Sequence, residues 1–191
     1  MLSVLLFAAV LLPSCKESGK PSSTETVVTT APVTPAKPET ILGQGGTDEL
    51  LNMLQAYYSL KDALVATNGV KADEAASKLM SAAELMHSGL DTIAQKAALQ
   101  AQLQIVMDKT EAIMATKAEA VEDKRTQFSA ASDAVYEIAT IANLRNAGVY
   151  HQYCPMAFND KGAYWLSAES DIKNPYFGNK MLGCGEVRDS L

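Results

Sequence analysis

Five side chains near the carboxyl end have the types and spacing to do chemistry together. Cys154 and Met156 flank Pro155 in the run YHQYCPM, Tyr150 to Met156, and the chain returns to sulfur in MLGC, Met181 to Cys184. Two thiols and two thioethers are soft donors that select Cu(I) or Ag(I) over hard cations, and His151 adds an imidazole on the same segment. Pro155 disfavours helical geometry at Cys154, so the Cys-Pro-Met turn stays extended. The thiols also read in two other ways. A Cys154–Cys184 disulfide would close a loop of about thirty residues and contribute about 3 kcal/mol; alternatively both cysteines fill a core, as free Cys and Met often do. On a strand, His151 and Tyr153 share one face while Gln152 and Cys154 share the other, so His151 needs a bend to meet Cys154 at one ion.

Supporting residues lie around this set. Arg125 sits three residues before Phe128, on an apolar helical stripe. The favoured reading is structural, a snorkelling side chain or a partner for a bundle carboxylate; the alternative is a donor that reaches the terminal segment, bonding carbonyls or steadying a thiolate. Trp165, with Tyr164, Tyr176 and Phe177, reads first as core. The chain has two histidines, and His87 favours the negative end of its helix. With no triad, zinc motif, Cys-x-x-Cys pair or phosphate-binding loop, the expectation is a protein that is not an enzyme.

The third cysteine belongs to a different problem. Residues 1–14, MLSVLLFAAVLLPS, form an apolar run too short for a stable membrane anchor and read as a signal-peptide core. The run ends Leu12-Pro13-Ser14-Cys15, which resembles the lipobox of bacterial lipoproteins, although no Lys or Arg precedes the apolar core. The resemblance implies that Cys15 is lipidated, that the membrane is a partner through that lipid, and that the protein works in the periplasm or cell envelope. Two cysteines then remain in a compartment where disulfides persist.

Composition limits the partners. The 191 residues are 48% hydrophobic and 20% charged, with net charge −6 and pI near 4.9, so nucleic acid is excluded: counterion release needs clustered Lys and Arg. The acid excess sits in residues 47–147, with 9 basic and 14 acidic side chains, whereas the last 44 residues hold 4 and 5.

These residues must be held by a folded scaffold. Residues 1–15 read as lipoprotein signal and lipobox, 16–46 as a disordered tether rich in Thr, Pro and Ser, and 47–191 as the folded part. From 47 to 147 the pattern is helical. Thr47 reads as an N-cap before the stripe Leu50, Leu54, Tyr57, Lys61, Leu64 and Val65, and Asn68-Gly69 as its stop. Asp73 reads as the cap of a second helix, with Ala76, Leu79, Ala83 and Met86 facing inward. No Gly or Pro occurs from Asp91 to Asn143, enough chain for a helix of roughly 80 Å. A break is therefore expected, at Thr116 with Glu119 as a capping box. Helix three then buries Ile93, Ala97, Leu103, Val106 and Ile113, and helix four Val121, Phe128, Val135, Ile138 and Ala142. The expected fold is mainly α, an antiparallel four-helix bundle. Residues 148–191 form a small cap with short strands in VYHQY and AYWLS joined by a turn at NDKG.

The run VYHQYCPMAFNDKGAYWLSAESDIKNPYFGNKMLGCGEV, with KRTQFSAASDAV upstream, resembles the bacterial exported domain of unknown function 3347. That resemblance implies occurrence alone or attached to periplasmic adaptor subunits of heavy-metal efflux systems. Tyr-Cys-Pro-Met is also similar to the core of short heavy-metal-binding segments in those adaptors, which continue with His-Pro where Ala157-Phe158 stands here. The expectation is a lipoprotein that binds or buffers Cu(I) or Ag(I) through Cys154, Met156, Met181, Cys184 and His151, with an efflux adaptor as partner. The alternative is a structural or interaction module with a Cys154–Cys184 disulfide and no metal.

Overall fold

The computed structural model describes residues 36–90 and 93–191. Cys15, the apolar leader and most of the tether lie outside the described residues. Four helices, α1 (Gly43–Val65), α2 (Gly69–Gly89), α3 (Lys96–Ala115) and α4 (Val121–Ile141), pack against one another in chain order, and α1 also meets α4. Only Ala66–Asn68 separate α1 from α2, so the two can lie side by side only by reversing direction. None of the four is long and apolar enough to cross a membrane.

The stripes are buried as the 3.6-residue period demands, with three exceptions: Val65 is half-buried, Ile93 is half-buried and precedes α3, and Ala97 faces outward. Ala97 is exposed and Leu99 is buried in its place. The inward face of α3 runs Leu99, Leu103, Val106, Thr110 and Ile113, and Ala97 lies two residues, about 200°, away from it.

Three helix ends differ from expectation. α1 begins at Gly43, inside the stretch read as tether, and Thr47 is an interior residue whose Oγ1 donates to the Gly43 carbonyl at 2.6 Å. Asn68, not Asp73, caps α2, its Oδ1 accepting the Lys71 N–H at 3.0 Å, and its own N–H also closes α1 on the Ala63 carbonyl at 2.9 Å. A Cβ on Gly69 would lie 1.7 Å from the Ala118 carbonyl oxygen, so only glycine fits. Thr116 closes α3, with Oγ1 donating to Ala112 O at 2.8 Å, and α4 starts after Ala120 with no side-chain cap. Glu122 and Asp123 occupy its first turn, where they oppose the positive end of the helix dipole. Two helices end in paired carbonyl bonds with a left-handed residue, Thr67 after α1 and Asn143 after α4.

The cap is a three-stranded antiparallel sheet in the order β2-β1-β3, with β1 Tyr150–Cys154, β2 Ala163–Ser167 and β3 Glu186–Ser190. β1 and β2 are the two expected strands, in register from Tyr150↔Ser167 to Cys154↔Ala163. β3 was not expected. Its sequence EVRDS is exposed throughout and lacks the alternation that marks a half-buried strand. Two tyrosines close the outer edge of β2: Leu166 N–H donates to Oη of Tyr57 in α1 at 3.0 Å, and the hydroxyl of Tyr176, within the cap, donates to Tyr164 O.

Candidate functional site: the sulfur pair and the cleft beside it

The sulfurs of Cys154 and Cys184 lie 2.6 Å apart. Strand pairing makes this so. Tyr153 sits opposite Glu186 in the β1–β3 register, and Cys184, two residues before Glu186, falls beside the end of β1. Gly185 allows the approach, since a Cβ there would lie 2.8 Å from Trp165 Cη2 and 2.9 Å from Tyr153 O. Asn174, fully buried, fixes the same loop by donating from Nδ2 to Cys184 O at 2.7 Å and accepting the Tyr176 and Phe177 N–H groups at Oδ1.

Cys154 is fully buried and Cys184 partly exposed, both as free thiols. Their separation is shorter than a non-bonded sulfur contact. It is also well below the spacing of about 3.8 Å that two thiolates take around one tetrahedral ion with metal–sulfur bonds near 2.3 Å. Desolvation, and then the neighbouring Cys154, push the Cys184 thiol up to about 11, against the Met156 backbone N–H that favours the thiolate.

Met156 and Met181 line one cleft of about 490 Å³ between the first turn of α4 and the cap. His151 is elsewhere. It projects from the other face of β1, stacked between Tyr136 at 3.8 Å and Tyr164 at 4.7 Å. Burial lowers its pKa, and Asp189 partly opposes the shift. The structure therefore brings the two thiols together and the two thioethers to one cleft, and leaves the imidazole apart. Among the described residues, no group of three or more His, Cys, Asp or Glu side chains is placed to hold a metal ion.

Arg125 is 1% exposed, and each of its three guanidinium nitrogens donates a hydrogen bond. Nε donates to Pro175 O at 2.7 Å, Nη2 to Leu64 O and Thr67 Oγ1 at 3.0 Å each, and Nη1 to Glu122 at 2.9 Å. It reaches the cap through one carbonyl, that of Pro175, not through a thiol. Phe128 stacks on Tyr57 and leans on Tyr176, and Trp165 meets Tyr176 edge to face. Gln152 Oε1 and its cross-strand neighbour Trp165 Nε1 are buried without a hydrogen bond.

Sequence reasoning missed three residues that hold this arrangement. Lys124 is completely buried, donating to Asp73 and to the Ile113 and Thr116 carbonyls. Tyr57 joins Ser132 of α4 at 2.7 Å to β2. Asn174 carried a usable signal, the turn-forming dipeptide Asn174-Pro175; Lys124 and Tyr57 carried none beyond their helical register.

Fold and site together define a mainly helical domain with a small sheet cap closed at a thiol pair. Residues 53–147 match the model of the family described as "Protein of unknown function (DUF3347)", so this stretch carries a domain of unknown function. The match runs from within α1 to just past α4 and ends before the cap, whose residues carried most of the resemblance drawn from the sequence. No curated protein and no solved structure matches the chain.

Proposed function

We propose that this is an exported, non-catalytic binding module, held to a bacterial membrane by lipid on Cys15, whose cap is stapled by a bond between Cys154 and Cys184. The 2.6 Å approach of the two sulfurs carries this reading. An envelope compartment lets such a bond persist, and the cap has reason to need one, because a three-stranded sheet with an exposed edge strand has little core of its own. Intact-mass analysis of protein recovered from the envelope tests it. A mass deficit of two hydrogens, their electrons passed to a disulfide-exchange oxidant of the envelope, with no alkylation at Cys154 or Cys184 before reduction, is the expected result; two alkylated cysteines without reductant would refute it.

A second reading keeps the thiols reduced and gives them to Cu(I) or Ag(I), with delivery to a heavy-metal efflux adaptor. The shared cleft position of Met156 and Met181 favours it. The donors would be Cys154, Cys184, Met156 and Met181, without His151, and the sulfurs would have to part by about 1 Å to share an ion. Each thiol must lose its proton to bind, so affinity rises with pH. Anaerobic titration of the reduced protein with Cu(I) should then give one equivalent per chain, lost in Cys154→Ser and weakened in Met156→Leu. Stoichiometry unchanged by both substitutions would remove this reading.

A further inference from the structure

The cleft beside the sulfur pair has a lining that soft-metal chemistry does not use. Phe158 and Tyr176 meet edge to face at 5.3 Å in its wall, with Phe177 beside them. Three carboxylates join the rings: Glu122, Asp123 and Asp160. Glu122 is already engaged by Arg125 at 2.9 Å and Lys180 at 3.4 Å. Asp123 and Asp160 have no ion-pair partner among the described residues. The free charge of the cleft is therefore negative, over an aromatic wall.

The backbone that brings two of these groups in is strained. Phe158, Asn159 and Asp160 are three consecutive non-glycine residues in the left-handed region, at φ 52°, 58° and 64°. The cost, about 1–2 kcal/mol, falls mainly on Phe158, because Asn and Asp tolerate this region better, and runs of such residues are rare. Here the run places Phe158 and Asp160 in the same cleft wall.

We propose that this cleft binds a protonated amine carried on an apolar body. The ammonium is held by Asp123 and Asp160, and the body lies against Phe158, Tyr176 and Phe177. Aromatic faces attract cations, carboxylates pair with them, and the two together select a charged amine over a neutral molecule of the same shape. A volume near 490 Å³ falls within the range of small-ligand sites. The amine comes either from a small metabolite or from a lysine side chain of a peptide, and the site chemistry is common to both. This inference goes beyond both readings of the thiols.

Calorimetric titration of the oxidised protein tests it, with chelator present so that no soft metal enters the measurement. The probes are phenethylamine, its neutral analogue 2-phenylethanol, and Nα-acetyl-lysine N-methylamide. Saturable binding of at least one amine is expected, about tenfold or more tighter than 2-phenylethanol and weaker at high salt. Asp160→Asn, which keeps a residue that tolerates left-handed backbone, should weaken amine binding about fivefold, as should Asp123→Asn. Tighter binding of the lysine derivative assigns the site to peptides; tighter binding of phenethylamine assigns it to free amines. The proposal is overturned if 2-phenylethanol binds as well as the amines, if neither aspartate substitution weakens binding, or if no amine saturates the protein.

Discussion

Arg125 Nε donates to the Pro175 carbonyl at 2.7 Å, and the same guanidinium reaches the Leu64 carbonyl at the end of α1. One side chain thus joins the end of α1, the start of α4 and the cap. Gly178 lies against it: a Cβ there would fall 2.9 Å from Arg125 Nη2, at a backbone φ of +54°. Replacing Arg125 by Met keeps much of the volume but leaves the Pro175 and Leu64 carbonyls without their donor. The expected loss is about 3 kcal/mol in urea unfolding. Arg125→Lys should recover little of it, because an ammonium lacks the planar fork that reaches several acceptors at once.

Lys124 poses a similar test within the bundle. Its Nζ meets Asp73 Oδ1 at 2.6 Å, Ile113 O at 2.6 Å and Thr116 O at 2.5 Å, closing the carboxyl end of α3. Lys124→Met should cost about 2–3 kcal/mol, since it strips the buried helix end of its donor. Asp73→Asn keeps a hydrogen-bond acceptor at a partly exposed position and should cost less than 1 kcal/mol. Denaturant midpoints of the two variants, measured side by side, check the order; equal losses would contradict it.

The helices were legible because each buries one stripe. Leu50, Leu54, Tyr57 and Leu64 recur at helical spacing, and the structure buries all four. The ends were less legible because capping is a local competition that sequence pattern does not decide. Thr47 and Thr116 both turn their hydroxyls back to a carbonyl four residues earlier, a bond that suits threonine inside a helix as well as capping does. β3 was missed for a different reason: a strand paired on one edge and exposed on both faces has no apolar alternation to display. In the site, the closeness of Cys154 and Cys184 depends on the β1–β3 register, a long-range fact, whereas the separation of His151 from Cys154 was already implied by the period-two alternation of a strand.

His151 should make the stability of the cap depend on acid. Burial between Tyr136 and Tyr164 lowers its pKa, with Asp189 opposing, so the folded state favours the neutral ring. In the unfolded chain the ring takes a proton near its ordinary pKa of about 6.5. Below that pH the unfolded state binds more protons, and stability falls as pH falls until the folded-state ring also titrates. His151→Phe keeps the aromatic stack and removes the proton. Urea midpoints measured from pH 7.5 to pH 5 should therefore decline more steeply for the wild type than for the variant. Parallel slopes would show that His151 does not titrate differently on unfolding.

The thiol pair gives the sharpest contrast between redox states. In the reduced protein, burial and Cys154 hold the Cys184 thiol up to about 11, above the value of about 8.5 of an unfolded cysteine. Folding then keeps a proton that the unfolded chain gives up, so stability is fully present below about pH 8.5 and is lost as pH rises through the folded value. Iodoacetamide, which attacks the thiolate, should label reduced Cys184 slowly at pH 8 and much faster near pH 11. In the oxidised protein neither cysteine should react, and the bond should add about 3 kcal/mol by closing its loop in the unfolded chain. The double variant Cys154→Ser with Cys184→Ser should unfold near the reduced wild type at neutral pH, and should lose the wild type's decline in stability at alkaline pH. An oxidised wild type no more stable than this double variant would mean that the cap does not depend on the staple.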